Sequence, residues 1–221
     1  MDVYRAALEK LQGLGLVYPC FCSRREIRAE IARAGQAPHD AFHGQPGPIG
    51  PLYPGTCRQM TASERDERMA AGDAFALRLD MEQAERVAGP LTWTERGEGR
   101  IKATPEIFGD VVLARKDTPA SYHLACTVDD HIQRVTLVTR GRDLFKATHV
   151  HRLLQELLGL DKPEYRHHRM LAGDNGRRLA KRDNATTLRA LREAGKSPAE
   201  VRKMAGARTA IYSGGGARPG I

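Results

Sequence analysis

Between Asp110 and Gly159 the sequence switches repeatedly between strand-like and helix-like patterning, and this order constrains the fold more than any other feature. Asp110-Val111-Val112-Leu113-Ala114-Arg115 is a compact apolar run that reads as a strand. Asp117-Thr118-Pro119-Ala120 is a turn that launches a helix from Tyr122 to Val128, closing over Val128-Asp129-Asp130-His131. Gln133 to Arg140 is a β-branched strand, and Arg140-Gly141-Arg142-Asp143-Leu144 is a loop. Thr148 to Leu158 then places Val150, Leu153, Leu154, Leu157 and Leu158 on one helical face, and Gly159 stops it. A helix–strand–loop–helix order predicts an α/β chain with a parallel sheet. Ligands bind such sheets at the carboxyl ends of the strands, where Arg140 and Arg142 fall. A solvated loop pair is the plainer reading of the same two residues.

The flanks are mixed. Val3 to Leu16 is an amphipathic helix with Leu8, Leu11 and Leu14–Leu16 on a stripe, ended by Gly13 and Gly15. With nothing before it to cover the stripe, that face is expected to be exposed. Arg24 to Ala34 reads as a helix with Ser23 as N-cap, and Thr61 caps another that runs to Ala71. Ala74 to Leu79 alternates like a strand, and Val87 to Ile107 is strand-and-turn material with glycines. Near the end, Lys181-Arg182-Asp183-Asn184-Ala185-Thr186-Thr187-Leu188 starts a helix through Ala194. Gly195-Lys196 and Ser197-Pro198 break it before a short helix to Ala205, and the glycine-rich tail is expected to be disordered.

Composition narrows the class. Hydrophobic residues at 41% and charged residues at 28% exclude global disorder. No run approaches the roughly 20 apolar residues of a membrane span, and no basic region followed by an apolar run marks a secretory signal. Four cysteines in 221 residues are too sparse for a disulfide scaffold, so reduced thiols and a cytoplasmic setting are expected. The formal charge of +8 suits a polyanionic partner such as tRNA, DNA or a phosphate-rich ligand, and equally suits a solvated surface.

Three cysteines are patterned. Cys20-Phe21-Cys22 is followed some thirty residues later by Tyr53-Pro54-Gly55-Thr56-Cys57, with turn-formers beside both segments. Tight turns can aim thiolates at one point, and zinc takes thiolate, imidazole or oxygen ligands in a tetrahedron. Three cysteines leave a fourth position for Tyr53, His39, His43 or water. Small buried hydrophobes are the alternative, since free cysteines are often that. Gly35 to Pro54 is a surface loop whose ends the cysteines would staple. A second cationic feature is Gly176-Arg177-Arg178-Leu179-Ala180-Lys181-Arg182-Asp183, where cations on a glycine-preceded loop could clamp a triphosphate or merely form an exposed basic turn.

Read together, YPCFCSRREI, YPGTCR, FGDVVLARKDTPASYHLACTVDD, VTRGRDL and RHHRMLAGDNGRRLAKRDNATTLRALREAG resemble the catalytic region of class I glutamyl-type tRNA synthetases over about residues 3 to 205. Within that family the likeness is to the branch without an anticodon-binding domain. The resemblance implies a Rossmann-like catalytic domain, its second half present, with an inserted zinc-containing subdomain. It implies a monomer that activates glutamate with ATP and Mg2+, then passes the glutamyl group to queuosine at the wobble position of tRNA(Asp). It implies one structural zinc held by Cys20, Cys22, Tyr53 and Cys57, and glutamate contacted by Tyr122 and Arg140. It places a KMSKS-type loop on Arg178, Lys181 and Arg182, which would contact ATP, with Lys181 as the catalytic lysine.

The implied organisation is a helix from the first Rossmann half (1–19), the zinc-containing, acceptor-binding-like insertion (20–108), the second half (109–175), the KMSKS-type loop with terminal helices (176–207), and a tail (208–221). The family's opening strand and HIGH-type loop have no counterpart here, so on the order of 70 residues are expected to be missing from the front, and activity to be impaired. Arg178 and Ala180 stand where the family has lysine and serine; the first keeps the charge with a different donor geometry, the second removes a hydroxyl. Two further readings are a non-catalytic, zinc-stapled tRNA-binding remnant and a fragment of a glutamyl-tRNA synthetase.

Overall fold

The computed structural model describes residues 1–34, 46–48, 50–115, 118–171 and 187–206, divided into two units, Met1–His168 and Arg169–Ile221. His39 and His43, the loop with Arg178, Lys181 and Arg182, and the tail lie outside the described residues.

The first unit is organised around a helix whose whole circumference is enclosed. Helix α6 (Ala147–Leu158) buries the expected leucine face and also Thr148, His149, His151, Arg152 and Gln155. It lies between α1 (Asp2–Gly13) and α5 (Tyr122–Ile132) on one side and α4 (Met81–Ala88) with the 3-10 turn Pro105–Phe108 on another. Burying polar groups needs partners, and most are present, although His151 Nε2, Arg152 Nη1 and Gln155 Oε1 have none among the described residues. Gln155 Nε2 donates to Tyr165 Oη at 2.8 Å, Arg152 Nε donates to Thr92 O at 3.0 Å, and His149 Nδ1 accepts from Thr104 N at 2.8 Å. Gly159, at φ 65°, ends the helix in the left-handed conformation that favours glycine.

The stripe of α1 is covered at Leu8, Leu11 and Leu16, contrary to the expectation of an exposed face, while Leu14 stays 45% exposed. Leu8 and Leu11 are buried where α1 packs on α5 and α6. Each buried leucine contributes about 1.5–3 kcal/mol of transfer free energy. Two polar ties fix the docking: Tyr4 Oη donates to Asp129 Oδ1 at 2.7 Å, and Lys10 Nζ donates to Leu158 O at 2.7 Å, a cation at the negative end of α6.

The sheets are mixed, so the expected parallel sheet is only part of the answer. Strands β1 (Val17–Cys20), β4 (Ala76–Leu79) and β7 (Val112–Arg115) form an antiparallel sheet in the order β1-β4-β7. The second sheet runs β6-β5-β9-β8. In it β5 (Thr92–Glu95) pairs antiparallel with β6 (Gly99–Lys102), and β9 (Glu164–His168) pairs parallel with both β5 and β8 (Leu137–Gly141). Two short strands, β2 (Pro46–Gly47) and β3 (Gly50–Pro51), pair separately.

Local chemistry accounts for the element boundaries. Ser23 and Glu26 exchange capping bonds at the start of α2 (Arg24–Ala34). Thr61 and Glu64 form a capping box on α3 (Ala62–Ala70). Asp80 caps α4, so Val87 belongs to a helix rather than to strand-and-turn material. The strand expected from Gln133 starts only at Leu137, because α5 continues to Ile132 and Arg134 turns through φ 54°. The second unit contains α7 (Leu188–Glu193), capped by Thr187, and α8 (Pro198–Met204), capped by Ser197; Arg169 Nη2 donates to Ala205 O at 2.7 Å. Among the described residues no helix is long and apolar enough to cross a membrane.

Candidate functional site

Two clusters in the first unit bring chemistry-bearing side chains together. The first is built where β1 ends. Cys20 is the last residue of the strand, Cys22 follows, and Cys57 sits on the 3-10 turn Thr56–Gln59, entered through Gly55 at φ 86°. The three thiol sulfurs lie within 4.8 Å of one another, the only His/Cys/Asp/Glu group of metal-ligand geometry among the described residues. Tyr53 reaches the same point: Cys20 Sγ donates to its hydroxyl at 3.3 Å, Cys22 Sγ lies 3.5 Å away, and Cys57 N donates to it at 2.9 Å. Three thiols and a phenol match the donors zinc accepts, so these four residues fit such an ion. Burial pushes the Cys22 thiol up to about 12. At Cys57 burial is outweighed by hydrogen bonds from Tyr53 and Phe21 N, which hold the thiol below its ordinary value. All four cysteines are free thiols.

The second cluster surrounds Arg140, near the carboxyl end of β8. The strand register places Arg140 opposite His167 on β9, and β9 in turn pairs with β5 beside Glu95. Three adjacent strands thus set Glu95, His167 and Arg140 in a row. Arg140 Nε donates to His167 Nε2 at 3.0 Å, and Nη2 donates to Thr148 Oγ1 at 2.7 Å and Leu144 O at 3.2 Å. Nη1 donates to Tyr122 Oη and lies against His151 Nδ1, both at 3.2 Å. All five donors of the guanidinium are therefore engaged, and the face with Tyr122 is the one open to solvent, since Tyr122 is 49% exposed and His151 only 1%.

The surrounding imidazoles are kept neutral. Burial, then the charge of Arg140, lowers His123 to about 4 and His151 well below its ordinary value. Burial also lowers His167, against the upward pull of its hydrogen bond to Glu95. Arg140 is left as the fixed positive charge, which suits a carboxylate. A cavity of about 580 Å3 lies alongside, lined by Tyr122, His123, Phe108, Arg78 and Arg115, and it reaches Tyr53 of the cysteine cluster.

Residues 1–210 match the family model described as tRNA synthetases class I (E and Q), catalytic domain. The chain belongs to this class I synthetase family. Among curated relatives of this class I synthetase, the glutamyl-Q tRNA(Asp) synthetase of Rhodobacter capsulatus is 46% identical, with 93% of this chain and 72% of the relative aligned. That of Nocardia farcinica is 42% identical over 90% of this chain and 57% of its own length. The chain thus spans between about half and three quarters of the length of these relatives. The crystal structure of a glutamate-tRNA synthetase from Elizabethkingia anophelis shares the fold, with TM-score 0.63 and 24% identity over 83% of this chain and 36% of that one.

Of the residues singled out in the sequence, Cys20, Cys22, Tyr53 and Cys57 come together, as do Tyr122 and Arg140. Arg142 does not join them: it is exposed and ion-paired with Glu98. Sequence reasoning passed over Glu95, Thr148, His151 and His167. The alternation of β5, which turns Trp93 and Glu95 to the same buried face, was the available signal for Glu95.

Proposed function

We propose that this class I synthetase activates glutamate with ATP and transfers it to queuosine at the wobble position of tRNA(Asp). The observation that carries the reading is the identity with glutamyl-Q tRNA(Asp) synthetases over nine-tenths of the chain. The Arg140–Tyr122 cluster supports it chemically. A guanidinium among neutral imidazoles is a receptor for a carboxylate, and the half-exposed Tyr122 hydroxyl beside it adds a polar contact at the open face.

In the activation step a glutamate carboxylate oxygen bonds to the α-phosphorus of ATP and the bond to pyrophosphate breaks. In transfer, a queuosine hydroxyl oxygen attacks the acyl carbon and AMP leaves. Lys181, with Arg178 and Arg182, is assigned to the triphosphate, with Mg2+ accompanying it, because charge develops on the pyrophosphate oxygens as they depart. Cys20, Cys22, Tyr53 and Cys57 would hold one zinc ion. Its contribution is structural, tying β1 to the turn that carries Cys57.

Glutamate-dependent exchange of pyrophosphate into ATP, without tRNA, tests the activation half. Exchange with glutamate and none with glutamine or aspartate is expected. Exchange indifferent to the amino acid refutes the assignment of the pocket.

A further inference from the structure

We infer that Glu95 and His167 are positioning residues for Arg140, and that they act by fixing which nitrogen of His167 carries its proton. The inference rests on the reading of Arg140 as the receptor for the glutamate carboxylate, and goes beyond it by naming what holds that receptor in place.

The geometry leaves one tautomer. Glu95 is 1% exposed, and both its carboxylate oxygens are engaged by one residue: Oε1 accepts from His167 N at 2.7 Å, and Oε2 lies 2.8 Å from His167 Nδ1. A carboxylate has no proton to give, so Nδ1 is the donor. The neutral ring then presents a lone pair at Nε2, and that lone pair meets Arg140 Nε–H at 3.0 Å. The opposite tautomer would point N–H at N–H across this contact and a lone pair at the carboxylate. The ring is also held in its plane. It stacks on Tyr165 at 6.0 Å with a 2° interplanar angle, and the Phe145 ring meets it at 5.1 Å. Strand pairing fixes the backbone of Glu95, His167 and Arg140, so the row of side chains is rigid from its carboxylate to its guanidinium.

The remaining acceptors of Arg140 cannot do this work alone. Leu144 O and Thr148 Oγ1 bind Nη2, and Tyr122 and His151 bind Nη1. Only His167 holds Nε among the described residues, and Nε sets the roll of the fork about its stem. A ligand carboxylate arriving at the Tyr122 face needs the Nη1 edge held at that face, and a donor turned away forfeits its charged hydrogen bond to the ligand, on the order of 10- to 100-fold in affinity.

The test pairs a spectroscopic reading of the parent protein with binding by variants. Histidine 15N spectra of the parent at pH 7.5 are expected to show His167 protonated at Nδ1 and not at Nε2. The opposite pattern overturns the inference without any mutation. In Glu95→Gln one of the two acceptor atoms becomes a donor, so the variant must either strand His167 N–H or reverse the tautomer. His167→Phe keeps the ring among Tyr165 and Phe145 but removes the acceptor. Calorimetric titration with L-glutamate, run below the melting transition of each variant, is expected to show affinity about 10- to 100-fold weaker in both; His167→Phe should also melt lower, because it leaves Glu95 Oε2 and Arg140 Nε without their partner. Arg140→Lys separates the two levels. Weak binding in Arg140→Lys with parental binding in His167→Phe and Glu95→Gln overturns the positioning role and leaves the receptor intact. Parental binding in Arg140→Lys overturns the receptor itself, and the inference falls with it.

Discussion

Replacing Tyr18 by phenylalanine tests how the cysteine-bearing strand is tied to the rest of the first unit. Tyr18 lies on β1, two residues before Cys20, and is 3% exposed. Its hydroxyl donates to Asp110 Oδ2 at 2.5 Å. Burial, then the Asp110 charge, holds the phenol far above its ordinary range, so it stays a donor at any accessible pH. Asp110 Oδ1 accepts from Met81 N at 3.0 Å and faces Arg58 Nη1 at 3.5 Å, on the turn that carries Cys57. The substitution removes one hydrogen bond to a buried carboxylate and leaves almost no cavity. Such bonds contribute about 1.5–3 kcal/mol. With a urea m-value of about 2 kcal/mol/M, the midpoint should fall by roughly 0.75–1.5 M. Urea unfolding followed by the fluorescence of the single tryptophan, Trp93, reads it. A double-mutant cycle with Asp110→Asn should return a coupling of about 0.5–3 kcal/mol. An unchanged midpoint with an unchanged m-value, or zero coupling, refutes the assignment of Asp110 as the junction between the sheet, α4 and the cysteine turn.

Further outcomes follow from the same geometry. Leu153 on α6 is fully buried, so Leu153→Ala should cost about 2–5 kcal/mol in urea unfolding; a loss under about 1 kcal/mol would mean the helix is less enclosed than described. The folded pKa of His123 is depressed from 6.5 to about 4, so the stability of its neutral ring is present above about 6.5 and lost as pH falls towards 4. That depression corresponds to roughly 3 kcal/mol, and His123→Phe should lessen the slope of stability against pH across that window, leaving the contributions of His151 and His167. An equal slope in the variant would place the acid sensitivity elsewhere. Protein expressed with zinc and analysed for metal should carry about one zinc per chain, and Cys57→Ala should lose it. Metal content unaffected by that substitution would remove the cysteine cluster as the site.

What the sequence disclosed and what it withheld divide along a physical line. Local signals read well: Thr61 and Ser23 mark helix starts, Gly159 marks a stop, and the turn chemistry at Gly55 brings Cys57 back to the C-x-C pair. Long-range pairing did not. The short strand Glu164–His168 carries three basic residues among its five, yet it is the centre of the parallel pairing because its alternate residues Tyr165 and His167 turn inward. The apolar spacing marked the leucine face of α6 and left its polar side, which is also buried, without an assignment. Helix α4 lies mostly over Met81 to Arg86, which the sequence pattern left unassigned, and with it the covering that encloses α6. The stripe of α1 likewise finds its cover in α5 and α6, partners more than a hundred residues away, which no local pattern discloses.

The measurement closest to the central claim is transfer of radiolabelled glutamate, with ATP, to tRNA(Asp) prepared with and without queuosine. The account predicts label on the queuosine-containing tRNA(Asp) alone, and its loss in Arg140→Ala. Label on tRNA(Glu), equal label on tRNA lacking queuosine, or no label on any tRNA contradicts it.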